Sequence, residues 1–162
     1  MPCWKSWSRR TVGDNAKQSF VIRALLDVDV VVSAIVAPRG TPRQVLSAWQ
    51  RRRLVAVISE GMIASIESKL RSPKIGLAHG VTDEDIHWLR ALLHTQAEMV
   101  VVLPEDVAGV TGVPENDYVL ATGIVGRAEH LVTGHRRLPV LSAHRGMKVI
   151  SPRDMWETLQ SG

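Results

Sequence analysis

The chain has 162 residues, of which 45% are hydrophobic and 22% are charged; this balance excludes a disordered or fibrous protein and predicts one domain with a sizeable core. No apolar run reaches the ~18 to 20 residues that a membrane span needs, and the single cysteine, Cys3, excludes an internal disulfide, so we expect a cytoplasmic protein that does not enter membranes. The net charge of +4 and the isoelectric point near 9.7 suit a polyanionic partner such as RNA, although an ordinary solvated surface more often accounts for a charge of this size.

Residues 1–19 precede the first apolar segment and carry several basic side chains, namely Lys5, Arg9, Arg10 and Lys17. The apolar stretch that a secretory signal requires does not follow them. We interpret residues 1–19 as a loose basic extension, or as the product of a misplaced start codon, and residues 20–160 as the folded domain.

Short apolar runs alternate along the chain with apolar stripes of helical spacing. The predicted strands are Phe20–Leu26, Leu54–Ile58, Met99–Leu103, His130–Thr133 and Val149–Ile150. The predicted helices begin at capping residues or prolines, namely Thr41-Pro42, Ser59, Thr82, Pro114 and Ser151-Pro152. Val30–Val36 is a further apolar run, which ends before Pro38-Arg39-Gly40.

This alternation predicts an α/β fold with three layers, α/β/α, around a central parallel sheet of four to five strands. The helix after Ser59 shows the pattern most clearly, because its buried stripe is Met62, Ile63, Ile66 and Leu70 and Ser72-Pro73 ends it. Ligands of such folds bind at the carboxyl ends of the strands, which is where functional residues are expected.

Two acidic pairs lie at positions where strands end or helices begin. Asp27 closes the first strand, with Asp29 two residues later, and Glu115 and Asp117 open the helix after Pro114. Capping alone explains either pair, since carboxylates accept hydrogen bonds from free N–H groups in a first turn. If the pairs meet at one edge of the sheet, however, their mutual repulsion favours a bound divalent cation.

Six segments follow one another along the chain, namely Leu26–Ala34, Ala37–Pro42, Ser59-Glu60, Leu70–Lys74, Pro114–Ala121 and Leu131–Gly134. Together they resemble the PIN-domain toxins of bacterial toxin–antitoxin systems. The resemblance covers residues 20–160, and it depends on the order and spacing of these segments rather than on any single one.

This resemblance implies a ribonuclease in which three or four carboxylates hold Mg2+ or Mn2+. By position, Asp27 and Asp117 would be the catalytic metal ligands. Asp29 stands where the family usually has Asn, and it would support the site together with Glu115 and Thr133. The resemblance also implies RNA as the substrate, an antitoxin protein as a partner, and a homodimer.

Two positions depart from the family pattern. The second acid of the family falls at Ser65, and the fourth falls at His135, which would be an unusual ligand or a general acid/base. Glu67 points about 200° away from Ser65 around the helix, and Glu60 lies on the side of Glu67. Neither glutamate is therefore expected to replace the missing acid.

Three arginines lie where the resemblance puts the site, namely Arg39, Arg136 and Arg137. They would contact RNA phosphates or simply form a solvated basic rim. Two other functions stay open. One is a degenerate PIN domain that binds RNA or an antitoxin without cleavage. The other is a phospho-acceptor or small-ligand domain, which the absence of a glycine-rich phosphate loop disfavours.

Overall fold

The computed structural model describes residues 21–37, 39–106, 113–134 and 146–162. The strands and α-helices within these ranges are β1 (Ile22–Leu26), α1 (Val28–Val36), α2 (Thr41–Gln50), β2 (Leu54–Ser59), α3 (Glu60–Arg71), α4 (Asp83–Gln96), β3 (Glu98–Val100), α5 (Pro114–Val125), β4 (His130–Val132), β5 (Lys148–Ile150) and α6 (Pro152–Ser161). None of these helices combines the length and the apolar character needed to cross a bilayer.

The five strands form one sheet in the order β3-β2-β1-β4-β5, and every neighbouring pair is parallel. All strands therefore end at the same edge, called the carboxyl edge below, and begin at the opposite, amino edge. The central strand β1 is apolar because both of its faces are covered: Ala24, Leu25 and Leu26 are at most 4% exposed.

Two sets of helices cover the sheet. The chain moves outward from β1 through β2 to β3 by way of α1 to α4. These helices pack on one another, α1 on α2 and α3, and α3 on α4, as expected when right-handed crossovers set helices on one face. It then returns to β4 by way of α5, which packs against β2, β1 and β4 from the other face. The terminal helix α6 packs on α2. The predicted three-layer α/β/α fold with a parallel sheet is thus confirmed.

The helix boundaries follow local sequence chemistry. In α3 the predicted stripe of Met62, Ile63, Ile66 and Leu70 is at most 1% exposed, and the helix ends at Arg71, directly before Ser72-Pro73. Thr82 and Asp85 form a reciprocal capping box at the start of α4, in which each side chain accepts the backbone N–H of the other residue.

Several boundaries differ from the predictions. Strand β1 begins at Ile22, the predicted start Phe20 lying outside the described residues, β2 extends to Ser59, and β4 ends at Val132 rather than Thr133. The N-cap of α2 is Gly40, with Thr41 as the first helical residue. Strand β3 ends at Val100 rather than Leu103, because Val100 pairs with Ser59, the last residue of β2, and β3 has no partner beyond it. Lys148, which we placed before the last strand, is the first residue of β5.

A side-chain clamp near the amino edge fixes the far end of α5. The Arg23 guanidinium donates to both carboxylate oxygens of Glu98 at 2.6 and 2.7 Å and to the Gly126 carbonyl at 2.6 Å. The hydrogen bond to Glu98 raises the pKa of Arg23 above its usual value, and the same bond lowers the pKa of Glu98. Strand β1 is thereby tied to β3 and to the end of α5.

Candidate active site

Three polar residues lie level with one another at the carboxyl edge. Leu25 pairs with Val57 and Leu26 pairs with Val132, so continuing the register sets Asp27 beside Ser59 on one side and Thr133 on the other. All three are buried, with exposures of 6% for Asp27, 1% for Ser59 and 4% for Thr133. Polar groups this deeply buried need partners.

The side chains of this row project toward α5. Residues two positions earlier show the direction, because a β-carbon at Gly126, the C-cap of α5, would lie 2.1 Å from Cγ1 of Val57, and one at Gly123 would lie 3.7 Å from Leu25. Side chains two residues apart in a strand share a face. Asp27 and Ser59 therefore face the same layer as Leu25 and Val57.

Asp27 occupies the N-cap position of α1, but its carboxylate makes no capping hydrogen bond to that helix. Instead, Oδ2 accepts the hydroxyl of Thr133 at 2.7 Å. The backbone is held as well, since the Asp27 N–H donates to the Val132 carbonyl and the Asp27 carbonyl accepts from Val30 and Val31. The simple capping alternative for Asp27 is thus wrong, and the carboxylate is oriented along the edge of the sheet.

The first turn of α5 brings the second acid to the same edge. Ser59 Oγ and Thr122 Oγ1 lie 2.9 Å apart, so the middle of α5 is level with the row, and the Arg23 clamp shows that α5 then runs toward the amino edge. Asp117 precedes Thr122 by five residues, about 7.5 Å along the helix axis. It therefore lies at the carboxyl edge, where it is 5% exposed.

Helix α3 connects the two acidic regions through one stripe of residues spaced four apart. At its start, a β-carbon at Gly61 would lie 2.5 Å from the ring of Tyr118, the neighbour of Asp117. At its end, the Lys69 ammonium forms an ion pair with the Asp29 carboxylate. Ser65 lies between them on the same stripe, so this stripe faces the acids without contributing a carboxylate.

The two glutamates of α3 face the opposite way, as predicted. The Arg90 guanidinium of α4 pairs with Glu67 at 3.0 Å and with Glu60 at 3.2 Å, and His94 also contacts Glu60 at 2.9 Å. The hydrogen bond to Glu67 raises the pKa of Arg90 above its usual value. Both carboxylates serve the contact between α3 and α4, and neither replaces the acid absent at Ser65.

A family model described as PIN domain matches residues 23–137, which is more than half of the chain. The chain belongs to the PIN domain family. No curated protein and no solved structure matches it. PIN domains are generally nucleases, which agrees with acids gathered at the carboxyl edge of a parallel sheet.

The structure describes only some of the other predicted site residues of this PIN domain. Glu115 is exposed in the first turn of α5, unlike the buried Asp117, and Arg39 is exposed in the connection between α1 and α2. His135, Arg136 and Arg137 lie outside the described residues.

PIN domains typically use divalent metal ions, and the described residues allow a test of fit. These residues include no group of three His, Cys, Asp or Glu side chains that could hold a metal ion. Asp27 and Asp117 do offer hard oxygen donors, the kind that Mg2+ and Mn2+ prefer. The oxygen donors of these two aspartates thus suit one Mg2+ or Mn2+ ion, but their number is below the three or four carboxylates that the resemblance implies.

Three contributions to this edge escaped the sequence analysis. Ser59 was predicted to cap α3, but its hydroxyl makes no capping bond and contacts Thr122 instead. Thr122 is fully buried in α5, and nothing in the sequence marks it as different from a surface threonine. Lys69 had a usable signal, because its spacing of four residues places it on the same helix face as Ser65.

Proposed function

We propose that this PIN domain is a ribonuclease in which Asp27 and Asp117 together hold one Mg2+ or Mn2+ ion. The observation that supports the proposal is the burial of two carboxylates near the carboxyl edge, Asp27 directly after β1 and Asp117 in the first turn of α5. Buried carboxylates of like charge are costly unless a cation or hydrogen bonds compensate them.

The bound ion would activate water and offset negative charge on the attacked phosphate. The protein's own contribution is orientation. Thr133 holds the Asp27 carboxylate by its hydroxyl hydrogen bond, and the contact between Ser59 and Thr122 sets the height of α5. In the same proposal Asp29 and Glu115 support the site electrostatically, and His135 acts as a further ligand or as a general acid/base near neutral pH.

RNA is the proposed substrate because the chain carries a net charge of +4, which steers association with phosphate backbones. Arg39, Arg136 and Arg137 are the proposed phosphate contacts. By its resemblance to toxin components, we further propose cytoplasmic action, an antitoxin protein as a partner, and self-association. Size-exclusion chromatography with light scattering tests the last point.

A binding module without cleavage is the second candidate function. It is favoured by the stripe of α3 that faces the acids, where Ser65 stands at the family's acidic position and Lys69 engages Asp29. This candidate predicts RNA affinity that falls steeply with salt, and no cleavage with either metal ion.

The decisive experiment is RNA cleavage by the purified full chain with Mg2+, with Mn2+, and with a chelator. The ribonuclease proposal predicts metal-dependent cleavage that is lost in Asp27→Asn and Asp117→Asn, while circular dichroism shows an intact fold. Glu157→Gln is the matched control, since its exposed ion pair with Arg153 on α6 contributes little. Metal-independent cleavage, or full activity in both aspartate variants, contradicts the assignment.

A further inference from the structure

The Lys69 side chain of α3 forms an ion pair with Asp29, two residues after the proposed metal ligand Asp27. The Lys69 ammonium of α3 contacts Asp29 Oδ1, and both side chains are 39% exposed. Asp29 follows Asp27 by two residues, so their α-carbons are about 5.5 Å apart in helical geometry. The ion pair therefore lies near Asp27 and is open in part to solvent.

The pair changes the charge that a cation would meet. The proposed ligands bring two carboxylates, Asp27 and Asp117, and the Lys69 ammonium offsets the charge of Asp29, two residues after Asp27. An ammonium also repels a divalent ion bound several ångströms away. One turn earlier on the same stripe, Ser65 adds no compensating negative charge. The stripe thus acts against divalent binding twice, by a missing acid and by an added cation.

We propose that Lys69 is a resident counter-charge of the site, which keeps Asp29 engaged away from the metal and weakens divalent binding at Asp27 and Asp117. The inference rests on the proposed metal site. A surface ion pair that merely joins α1 to α3 would influence stability by a small amount and leave metal affinity unchanged. The two roles therefore differ in a measurable quantity.

The test is calorimetric titration of the full chain with Mn2+, without RNA. Lys69→Met is expected to bind Mn2+ about tenfold more tightly than the wild type, because removing one charge near a divalent ion shifts binding by roughly that factor. The double variant Ser65→Glu with Lys69→Met is expected to bind more tightly still. Lys69→Arg keeps the cation and is expected to match the wild type.

Two controls assign the effect to the site. Lys148→Met makes the same charge change at the amino edge, where Lys148 opens β5, and is expected to leave the Mn2+ affinity unchanged. Asp27→Asn added to Lys69→Met is expected to abolish the binding. Where the wild type shows no measurable heat, Lys69→Met is expected to bring binding into range.

Equal or weaker Mn2+ binding by Lys69→Met overturns the inference, as does an equal gain in Lys148→Met. If neither Lys69→Met nor the double variant with Ser65→Glu binds Mn2+, the inference is also overturned. Failure of the proposed function looks different, because RNA then stays intact with every metal while the effect of Lys69 on Mn2+ affinity is still observed.

Discussion

A double-mutant cycle can test whether the hydroxyls of Ser59 and Thr122 form a hydrogen bond that stabilises the candidate site. Thr122 Oγ1 donates to the Tyr118 carbonyl at 2.9 Å and lies 2.9 Å from Ser59 Oγ. A hydroxyl has a single hydrogen, which Thr122 gives to Tyr118, so Ser59 is the donor between the two side chains. The direction of this bond determines how costly each substitution is.

Thr122→Val removes the acceptor of a buried hydroxyl, since Ser59 is 1% exposed. We expect the free energy of unfolding to fall by about 1 to 3 kcal/mol, the cost of a buried polar group that loses its partner. Ser59→Ala is milder, about 0.5 to 1.5 kcal/mol, because Thr122 keeps its bond to the Tyr118 carbonyl. No capping energy is lost, since the Ser59 side chain does not cap α3.

The double variant Ser59→Ala with Thr122→Val shows whether the two hydroxyls act as a pair. Once Thr122 is valine, removing the Ser59 hydroxyl eliminates a poorly satisfied buried group, so the second substitution is expected to cost almost nothing. The coupling energy is then about 1 kcal/mol. Urea unfolding of the four proteins, followed by circular dichroism, measures it. Additive effects of the two substitutions would refute the reasoning, because they would show that the hydroxyls do not act as a pair.

Three further predictions concern single side chains. Thr133→Val removes the hydroxyl that donates to Asp27, so the free energy of unfolding at pH 7 is expected to fall by about 1.5 to 3 kcal/mol. Thr133→Ser keeps a hydroxyl and should retain most of the wild-type stability. Equal urea midpoints for the wild type and Thr133→Val would contradict this. Burial lowers the pKa of His130 below its usual 6.5, so the unfolded chain binds more protons than the folded one. The free energy of unfolding of the wild type is therefore expected to drop as the pH falls below about 6.5. Unfolding measured between pH 7 and 5 should show a smaller drop for His130→Leu. The partly exposed bond to Arg23 lowers the pKa of Glu98, so Glu98→Gln is expected to lower the free energy of unfolding by at most about 1 kcal/mol at neutral pH. The difference between wild type and variant should vanish as acid protonates Glu98. A difference that persists in acid would exclude the ion pair as its cause.

The layered fold could be predicted because its elements are marked by local chemistry. The stripe of α3 and the capping box at Thr82 depend only on residues near in sequence, and both are present in the structure. Strand lengths were harder to predict. The run Met99–Leu103 has the composition of a strand throughout, but its pairing depends on where β2 ends, which lies about forty residues away along the chain.

The run Val30–Val36 shows a different limit. Ser33 is its single polar residue, which is too few to reveal a helical or strand period, and β-branched side chains favour strands. The segment is nevertheless part of helix α1, buried on most sides against α2 and α3. Tertiary packing outweighs local propensity here, and sequence patterns carry no information about it.

The candidate site was predictable to the extent that strand ends determine it. Asp27 follows a recognisable buried strand, and Asp117 opens a recognisable helix, so both were expected at one edge. The roles of Thr122 and Lys69 depend on which face α5 and α3 present to the sheet. Those orientations follow from long-range packing, such as the close approach of Gly126 to Val57.

The most direct test of the account is a crystal structure of the full chain soaked in Mn2+, with the ion located by its anomalous scattering. The account predicts one peak at the carboxyl edge, with oxygens of both Asp27 and Asp117 roughly 2 to 2.5 Å away. A peak bound by only one of these aspartates, or no peak at this edge while the protein cleaves RNA, would contradict it.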